Sequence, residues 1–533
     1  MITQLDCTLR DGGYYNNWNF DKGLVNRYLE AMAEAGVDAV ELGLRSFRNE
    51  GFKGAFAFSR DDYLQSLDIP SRLLVGVMVN ASDLIGNDDL NGRLARLFPV
   101  HADESAVSLV RIACHVHEFK EALPATTWLK ERGYRVGFNL MQVADRSKEE
   151  IEALARVAAE FRPDVLYFAD SMGGMEPSHT ADVISWLREA WDGPLGIHTH
   201  DNLGLALQNT LCAIDNGVTW VDATVTGMGR GPGNARTEEL ATELGMRRGR
   251  QENLIPLMQI IRTHFRPMQQ KFGWGTNLYY FLAGKYGIHP SYIQEMLADP
   301  RYLEEDLFAV IEHLRHEGGK KFSHEALDSA RHFFRGNASG NWSPSELFAG
   351  RDVFILGAGP GVTEHRDAIE QYIRKQRPLV MALNTQSSVA SSLIDVRVAC
   401  HPVRLLADCE AHAKLPQPLI TPVSMLPEDV REALSDKKLL DFGLKVERGT
   451  FEFDSNCCSL PISLVIAYAL AVATSGSAVR VLMAGFDGYG ADDPRTSEMQ
   501  ALFSLYQKHP QALPLLAVTP TRYSIPVKSI YGM

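Results

Sequence analysis

Cysteine is scarce in this chain, which has seven cysteines in 533 residues. Only Cys457 and Cys458 are neighbours, and no CxxC pair occurs. This pattern excludes a dense disulfide framework and the usual spacing of a structural zinc site. Because an odd, sparse set of cysteines is typical of a reducing compartment, we expect a cytoplasmic protein.

A basic surplus and a membrane-length apolar run are also missing. The chain has 66 acidic and 53 basic residues, for a formal net charge of −13. This argues against a broad surface for nucleic acid or membranes. The N-terminus has no basic segment followed by an apolar run, so we expect no signal peptide. The longest apolar run, Leu460–Gly476, is short for a membrane span and contains Pro461 near its start, so it predicts a buried helix.

Strand-like and helix-like segments alternate over the first 230 residues. A helix-like segment such as Asp21–Gly36, with Asp at its start and Gly at its end, follows the first strand. This rhythm is typical of a (β/α)₈ barrel, although a doubly wound sheet is an alternative. The eight candidate strands are Ile2–Thr8, Asp38–Leu44, Arg72–Val79, Ala106–Cys114, Tyr134–Met141, Val165–Asp170, Pro194–His200 and Trp220–Gly227.

Polar residues cluster at or just past the C-terminal ends of these strands. A barrel would gather all of those ends at one face, where the active site of such a fold lies, whereas an open sheet would spread them. We therefore predict a TIM barrel with its site at that face. The polar residues are Asp11, Glu41, Arg111, Asn139, Ser171, His198, His200 and Thr226.

The pattern changes after the barrel. We predict a barrel domain over residues 1–250, a helical extension and linker over 251–345, and a Rossmann-like α/β domain over 346–533. The extension includes the helical stretch Asn277–Leu297, and Phe334–Gly350 is rich in Gly, Ser and Asn, as linkers are. The last domain begins with a strand, a glycine-rich turn and a helix in "RDVFILGAGPGVTEHRDAIEQYIRK".

The seventh strand ends in "GIHTHDNLG". Residues i and i+2 of a strand point to the same side, so His198 and His200 can face one point at the barrel mouth. Asp11, at the end of the first strand, lies across the same mouth because only the eighth strand separates the two. Two imidazoles and a carboxylate suit a divalent ion such as Mn²⁺, Fe²⁺, Co²⁺ or Zn²⁺. The alternative is a pair of packed or exposed histidines with no metal.

Four motifs, "TLRDGGY", "ADSMGGMEP", "HTHDNLGLA" and "GMGRGPGNA", occur in the order seen in the metal-dependent pyruvate aldolases. Residues 1–300 resemble this family, which includes 4-hydroxy-2-oxovalerate aldolase, hydroxymethylglutaryl-CoA lyase and isopropylmalate synthase. The likeness is closest to the 4-hydroxy-2-oxovalerate aldolases. It implies an enzyme that makes or cleaves a C–C bond beside a 2-oxo acid, with an aldehyde as the other reactant, through a pyruvate enolate.

The resemblance also implies roles for single residues. It implies a divalent metal ion, with Mn²⁺ expected first and Mg²⁺, Co²⁺ or Zn²⁺ as alternatives. Arg10 matches the arginine that stabilises the enolate oxygen, and Ser171 matches a serine near the substrate carboxylate. The implied metal ligands are Asp11, His198 and His200, with Asn234 near the metal.

The chain departs from this family at the base. Where the 4-hydroxy-2-oxovalerate aldolases have a catalytic histidine three residues past the metal aspartate, this chain has Tyr14. A tyrosine is ordinarily protonated near neutral pH, so Tyr14 would serve as a proton relay rather than as a strong base. The other candidates for this role are Tyr15, Tyr279 and Tyr280, which more often pack, and His115 and His117.

Further charged residues lie at the predicted mouth. Arg45 and Arg111 could hold a carboxylate or phosphate on the aldehyde, and Glu41 could also contact substrate. The alternative for Arg45 is a salt bridge to Glu41 or another acid. Two other functions stay open: a Claisen-type acyltransferase that uses acyl-CoA, and a scaffold that binds metal without turnover.

In the C-terminal domain, "FILGAGPGVTEH" predicts a phosphate-binding turn at Gly357, Gly359 and Gly361, with a purely structural glycine turn as the alternative. It has a faint likeness to Rossmann-like domains of bacterial proteins that handle flagellar glycans or sialic-acid-type sugars. That likeness implies a nucleotide or nucleotide-sugar site, with Asp487 as a polar contact, and surface polysaccharide or sugar-acid metabolism. A dinucleotide site and an assembly domain are alternatives. We expect a homodimer, formed through the helical segment after the barrel.

Overall fold

The computed structural model describes residues 2–86, 89–298, 304–317, 319, 338–401, 404–405, 408–426, 428–447, 449–490 and 493–533. The chain divides into two compact units. The first contains Met1–Glu295, the second contains Ser323–Met533, and the intervening residues are divided between them.

The first unit contains a closed barrel of eight parallel strands, as predicted. Neighbouring strands pair in chain order, and β1 pairs with β8 to close the barrel, which excludes the doubly wound alternative. All eight predicted strands are present, several of them shorter than predicted. They are β1 (Thr3–Asp6), β2 (Ala39–Leu44), β3 (Leu74–Asn80), β4 (Leu109–Cys114), β5 (Arg135–Leu140), β6 (Val165–Asp170), β7 (Leu195–Thr199) and β8 (Trp220–Ala223).

Helices follow the strands and cover the outside of the barrel. Asp21 caps the first of them by accepting the Leu24 N–H at 2.9 Å, and Ser147 and Glu150 form a capping box on another. Short helical turns replace a long helix after β2. The main helices are Lys22–Glu34, Leu90–Leu97, Ala125–Glu131, Lys148–Phe161, Pro177–Arg188, Ala206–Asp215 and Thr237–Arg248, and the short ones are Thr8–Asp11, Gly13–Asn16, Asp61–Leu64, Ala81–Leu84 and Phe119–Ala122.

The chain after the barrel is helical, as predicted. The stretch predicted as Asn277–Leu297 forms two helices, Leu278–Tyr286 and Pro290–Ala298, because Gly287 adopts a left-handed φ of 63° that ends the first. The other segments are Ile255–Ile260, a π-helical turn at Ile261–Phe265, Arg266–Phe272, Glu304–Glu317 and Ser345–Phe348. Residues 334–337 of the predicted linker lie outside the described residues.

The second unit contains a seven-stranded parallel sheet in the order β13-β12-β11-β10-β9-β17-β18 and a three-stranded sheet in the order β14-β16-β15. The chain order reverses direction between β9 and β17, which is the switch point where such sheets bind ligands. The strands are β9 (Asp352–Leu356), β10 (Leu379–Leu383), β11 (Val396–Val398), β12 (Leu419–Thr421), β13 (Leu439–Asp441), β14 (Gly443–Val446), β15 (Glu452–Phe453), β16 (Cys457–Leu460), β17 (Arg480–Ala484) and β18 (Leu515–Ala517).

Helices Gly361–Glu364, Arg366–Gln376, Cys409–Lys414, Glu428–Ala433, Val465–Ser475 and Pro494–Gln507 complete the second unit. Val465–Ser475 comes from the longest apolar run, and its residues from Ile466 to Thr474 are all buried, as predicted. Among the described residues, no helix has both the length and the apolar character needed to cross a membrane.

Candidate metal and substrate site

Asp11, His198 and Asn234 meet at the C-terminal end of the barrel. Asp11 closes the helical turn that follows β1, His198 lies in β7, and Asn234 lies in the loop after β8. His200 follows β7 directly, and its backbone forms an isolated bridge with that of Asn234. The two histidine rings lie edge to face with centroids 5.2 Å apart.

Both histidines are oriented through their Nδ1 atoms. His198 Nδ1 lies 2.9 Å from Asp222 Oδ2, and His200 Nδ1 lies 3.1 Å from the backbone oxygen of Ser171. Because a carbonyl oxygen only accepts, His200 carries its proton on Nδ1 and its Nε2 keeps a lone pair. Histidines that bind metals are commonly oriented in this way.

Asp11 contacts both of the elements that face it. Its Oδ2 lies 3.3 Å from His198 Nε2 and accepts a 2.7 Å hydrogen bond from Asn234 Nδ2. Its Oδ1 pairs with Arg10. The ligand atoms of Cys7, Asp11 and His198 all lie within 4.8 Å of one another. His200 is not part of that group, although its ring lies against the His198 ring.

The protonation states of Asp11 and His200 suit a metal site directly, and His198 would give up a proton on binding a metal. Burial alone would raise the pKa of Asp11, but Arg10 and His198 outweigh it and hold that pKa far below its usual range. Burial, with His198 beside it, lowers the pKa of His200 to about 4, so His200 is neutral near pH 7. Burial also lowers the pKa of His198, but hydrogen bonds to Asp11 and Asp222 raise it above its usual value. A carboxylate with two oriented imidazoles fits a divalent transition ion.

A closed ring of buried ionic contacts holds these groups in place. Around the ring, Glu41 Oε2 lies 2.8 Å from Arg10 Nε, Glu41 Oε1 lies 3.5 Å from Arg111 Nη1, and Asp222 Oδ2 lies 2.6 Å from Arg111 Nη2. Buried charges persist when each has a partner, so the ring fixes its members together. Its members are Arg10, Glu41, Arg111, Asp222, His198 and Asp11.

Glu41 and Arg111, predicted to contact substrate, are therefore inside this ring, with fully buried side chains. Arg111 also lies over the Tyr167 ring at 4.1 Å. Neither side chain lies directly at the mouth. The structure brings them to the site as neighbours of Arg10 and of Asp222, the partner of His198.

Arg10 retains one unused donor. Its Nε and Nη1 are paired, but its Nη2 is buried and has no hydrogen-bond partner among the described residues. A buried guanidinium nitrogen without a partner is costly, so an oxygen atom of a ligand would be favoured there.

Arg45 lies away from this cluster. Its three nitrogens donate to Ser59 O at 3.1 Å, Leu97 O at 2.9 Å and Asp61 Oδ1 at 2.8 Å, and the residue is only 2% exposed. It ties together segments after β2 and β3, and its carboxylate partner is Asp61 rather than Glu41.

Ser171 lies beside His200. Its backbone oxygen accepts from His200 Nδ1, and its Oγ accepts the Gln142 N–H at 2.9 Å. Asn139, at the end of β5, is also buried, and its Oδ1 has no partner among the described residues. The predicted serine is thus next to the histidine pair.

Tyr14 lies on the rim of the mouth. The residue is 37% exposed, and its ring lies between Trp18, at a centroid distance of 4.8 Å, and the guanidinium of Arg230, at 3.6 Å. Neighbouring Tyr15 accepts the Gly231 N–H at 3.1 Å, and burial raises the pKa of Tyr15 to about 12. Tyr280 is buried beneath the same loop, and burial raises its pKa further.

Two residues of the site were missed by the sequence reasoning. Asp222 orients His198, and the signal for it was an acidic residue inside the buried strand "WVDATV". Cys7 has its Sγ 4.0 Å from Asp11 Oδ2, and burial raises the pKa of its thiol well above the usual value. The lone cysteine gave no signal by spacing.

In the second unit, the predicted phosphate turn follows β9 at the switch point. The N–H groups of Gly357 and Gly359 donate to Ala484 O and Gly485 O, each at 2.9 Å. The Gly361 N–H faces the Asp487 carboxylate, at 3.2 and 3.3 Å from its two oxygens. A Cβ on Gly359 would lie 2.1 Å from Asp487 Oδ2, so the turn is packed against this carboxylate.

Comparison with known proteins points to one family. A sequence model described as HMGL-like matches residues 98–264. The chain is 34% identical over 247 residues to the 4-hydroxy-2-oxovalerate aldolase of Pelotomaculum thermopropionicum, covering 46% of this chain and 70% of that protein. It is 34% identical over 245 residues to the enzyme of that name from Thermus thermophilus, covering 45% and 67%.

One solved structure is also similar. The N-terminal domain of a Bacteroides vulgatus protein assigned as an aldolase is 33% identical, with a TM-score of 0.50, and the match covers 56% of this chain and 97% of that one. The barrel fold, the site geometry and these relatives all indicate the same family. The chain belongs to the metal-dependent pyruvate aldolase family, the group that includes the 4-hydroxy-2-oxovalerate aldolases.

Proposed function

We propose that this chain is a divalent-metal-dependent aldolase, a carbon–carbon lyase acting beside a 2-oxo acid through a pyruvate enolate. The observation that supports this most is the meeting of Asp11 and His198 with a guanidinium that has one unpaired donor, Arg10 Nη2. Relatives named 4-hydroxy-2-oxovalerate aldolase, at 30–34% identity, support the same reaction class.

Asp11, His198 and His200 would hold the metal ion, and Asn234 would hold Asp11 in position through its 2.7 Å hydrogen bond. When bound, a divalent ion supplies Lewis acidity to the keto oxygen of the 2-oxo acid. Mn²⁺ is the ion we propose first, with Mg²⁺, Co²⁺ and Zn²⁺ as the alternatives. The family depends on a divalent metal.

Arg10 would stabilise the enolate. Its Nη2 can donate to the oxygen on which negative charge develops, and the guanidinium cannot turn away because Glu41 and Asp11 hold its other nitrogens. Ser171, beside His200, would orient the substrate carboxylate. Tyr14, on the rim, would relay the proton of the 4-hydroxyl group between the aldehyde end of the substrate and water.

The second unit has its own candidate function. We propose that a nucleotide or nucleotide sugar binds at the switch point between β9 and β17, because open parallel sheets bind ligands there. Asp487 lies against the glycine turn, so a phosphate group would need a divalent cation between it and that carboxylate. This would link the aldolase to sugar-acid or surface polysaccharide metabolism.

The setting we propose is a cytoplasmic homodimer. All seven cysteines are free, as expected in a reducing compartment. Light scattering on the full chain at several concentrations tests the dimer. A monomer at every concentration would contradict it.

The first test of the aldolase is proton exchange of pyruvate in D₂O, followed by NMR. Metal-stripped protein is assayed alone and then with Mn²⁺, Mg²⁺, Co²⁺ or Zn²⁺ added singly. We expect exchange only with metal and its loss in Asp11→Asn, while Asp192→Asn, on an exposed loop before β7, keeps it. No exchange by a protein shown to hold metal, together with thiol release from acyl-CoA, would indicate the Claisen-type reaction instead.

A further inference from the structure

Arg230 is a cation on the rim of the barrel mouth. It lies in the loop after β8, four residues before Asn234, which hydrogen-bonds Asp11. Its guanidinium covers the ring of Tyr14, three residues after Asp11. Arg230 is therefore held near the candidate metal ligand Asp11 in two ways, through its own loop and through its contact with Tyr14.

Arg230 differs from the other arginines near the mouth in its partners. Arg10 and Arg111 pair with carboxylates inside the ring, and Arg45 pairs with Asp61. Among the described residues, Arg230 has no carboxylate within ion-pair distance, and its guanidinium rests on the Tyr14 ring. A guanidinium stacked by its face on an aromatic ring keeps its N–H edges available for an anion.

Two histidines, His115 and His289, lie in the segments around Arg230. His115 follows β4 and stacks on His117 with centroids 5.6 Å apart. His289 directly precedes the helix Pro290–Ala298, where its Nδ1 accepts the Ser291 N–H at 3.2 Å, so its proton lies on Nε2. Burial, with Arg230 and His115 nearby, lowers the pKa of His289 to about 4, so His289 is neutral near pH 7 and adds no charge to the rim.

The charge of Arg230 is opposite to that of the whole chain. The sequence carries a formal net charge of −13, yet this part of the mouth presents a half-buried arginine that rests on an aromatic ring. In (β/α)₈ barrels, the loops after the last two strands often bind phosphate groups. A cation placed there without a carboxylate partner is suited to an anionic ligand.

We propose that Arg230 binds an anionic group, a carboxylate or a phosphate, on the aldehyde partner of the reaction. The inference rests on the proposed aldolase function and names the substrate class of that site. It transfers to Arg230 the role that the sequence suggested for Arg45 and Arg111, which are buried and paired with Asp61 and Asp222.

The test compares aldehydes that differ in charge. The full chain condenses pyruvate with butanal or 4-oxobutanoate, and with glyceraldehyde or glyceraldehyde 3-phosphate, and kcat/KM is measured for each. We expect the anionic member of one pair to be favoured at least ~10-fold. The first pair reports a carboxylate site and the second a phosphate site, so the favoured pair identifies the group.

Arg230→Met keeps the apolar stem on Tyr14 and removes the charge. We expect it to reduce the preference for the anionic aldehyde by about 10–100-fold, as for loss of a charge-assisted hydrogen bond. Arg230→Lys should restore part of the preference. The control is Arg236→Met in the same loop, because Arg236 already pairs with Glu239 at 2.8 Å.

Pyruvate exchange without any aldehyde separates the aldolase proposal from the inference about Arg230. If wild-type protein exchanges pyruvate protons but uses neutral and anionic aldehydes equally, the inference is wrong and the aldolase proposal stands. The inference is also wrong if Arg230→Met and Arg230→Lys both keep the wild-type preference. If metal-loaded protein exchanges no pyruvate, the aldolase proposal fails and this inference fails with it.

Discussion

The barrel mouth and the glycine turn of the second unit both follow parallel strands, and short motifs predicted a ligand site at each. They differ in which polar atoms are left without a partner. At the mouth, Arg10 Nη2 is buried and unpaired among the described residues, and the Nδ1 contact of His200 leaves its Nε2 lone pair available. At the turn, the N–H groups of Gly357, Gly359 and Gly361 all face oxygens of the protein.

The contrast indicates that a motif predicts where a ligand site can lie, whereas buried polar atoms without partners indicate which ligand atoms the site can bind. Burying an unsatisfied donor costs about 1–3 kcal/mol, so a fold keeps one only where something compensates. At the mouth, the ring of buried ionic contacts holds the unpaired Arg10 Nη2 in place. At the turn, the Gly361 N–H faces Asp487, so this donor already has an acceptor. Substitutions at both places can test this contrast, and those at the mouth should have the greater effects.

Arg10→Lys should have the largest effect. Lysine keeps one positive charge but cannot contact Glu41, Asp11 and an enolate oxygen in the fixed geometry of a guanidinium. We expect pyruvate exchange with saturating metal to fall about 10²–10³-fold, the usual cost of losing one aimed donor. The measurement is the exchange rate by NMR, with metal content determined on the same sample.

The matched control is Arg248→Lys. Arg248 contacts Asp38 at 2.6 Å and Ile2 O at 2.7 Å, near the starts of β2 and β1 at the opposite end of the barrel. It should leave exchange unchanged. If Arg10→Lys also exchanged pyruvate at the wild-type rate, the unpaired Nη2 would have no role in enolate stabilisation.

The barrel could be predicted from the sequence because its signals are local and repeated. Each strand is a short apolar run, and most are followed by a helix with its own start and stop residues, so the errors are confined to ends such as Gly227, which lies beyond the end of β8 at Ala223. Asp11 and the His198–His200 pair could be predicted to lie at one mouth for the same reason, because strand ends in a closed barrel share one face, whereas Asn234 came only from the family resemblance.

The pairing among charged side chains could not be predicted from the sequence. Arg45 and Arg111 looked alike, each an arginine at the end of a strand. Arg45 instead donates to Asp61 and two carbonyl oxygens, and Arg111 joins Glu41 to Asp222. These partners lie far apart in the chain, and no periodicity connects them, so only the folded barrel shows which cation is left at the mouth.

Tyr14→Phe tests the rim of the barrel mouth rather than the ring of buried ionic contacts. Phenylalanine keeps the contacts with Trp18 and Arg230 but lacks the hydroxyl that would relay a proton. We expect kcat for the aldehyde-forming cleavage to fall about 100-fold, within the range of general acid–base effects. The measurement is cleavage of a 4-hydroxy-2-oxo acid, with Tyr63→Phe, which packs on Phe56, as the control. A wild-type kcat would exclude Tyr14 and leave His115 or His117 as the base.

Asp222→Asn tests whether the ring positions the metal ligands. An asparagine can still meet His198, but it removes a carboxylate from Arg111, whose other carboxylate, Glu41, lies at 3.5 Å. We expect about 10–100-fold weaker metal binding, as for loss of a group that orients a ligand, measured by calorimetry with Mn²⁺. The double variant Asp222→Asn with Arg111→Met also removes the arginine that lost its 2.6 Å carboxylate partner. It should therefore recover thermal stability but not metal affinity. Unchanged affinity in the single variant would show that His198 needs no such support.

Asp487→Asn should have the smallest effect and tests the contrast at the glycine turn. The Asp487 carboxylate faces the Gly361 N–H and would repel phosphate, so wild-type protein should gain thermal stability from a nucleotide or nucleotide sugar only when Mg²⁺ is present. The variant keeps an oxygen for the N–H but loses the negative charge, so it should gain about 2–4 °C in Tm with the nucleotide alone, equivalent to about 1 kcal/mol. Asp367→Asn, an exposed carboxylate in the same unit, should behave as wild type. If no nucleotide shifts Tm in either protein, with or without Mg²⁺, the turn is structural, and its glycines serve only to let β9 and β17 pack closely around Asp487.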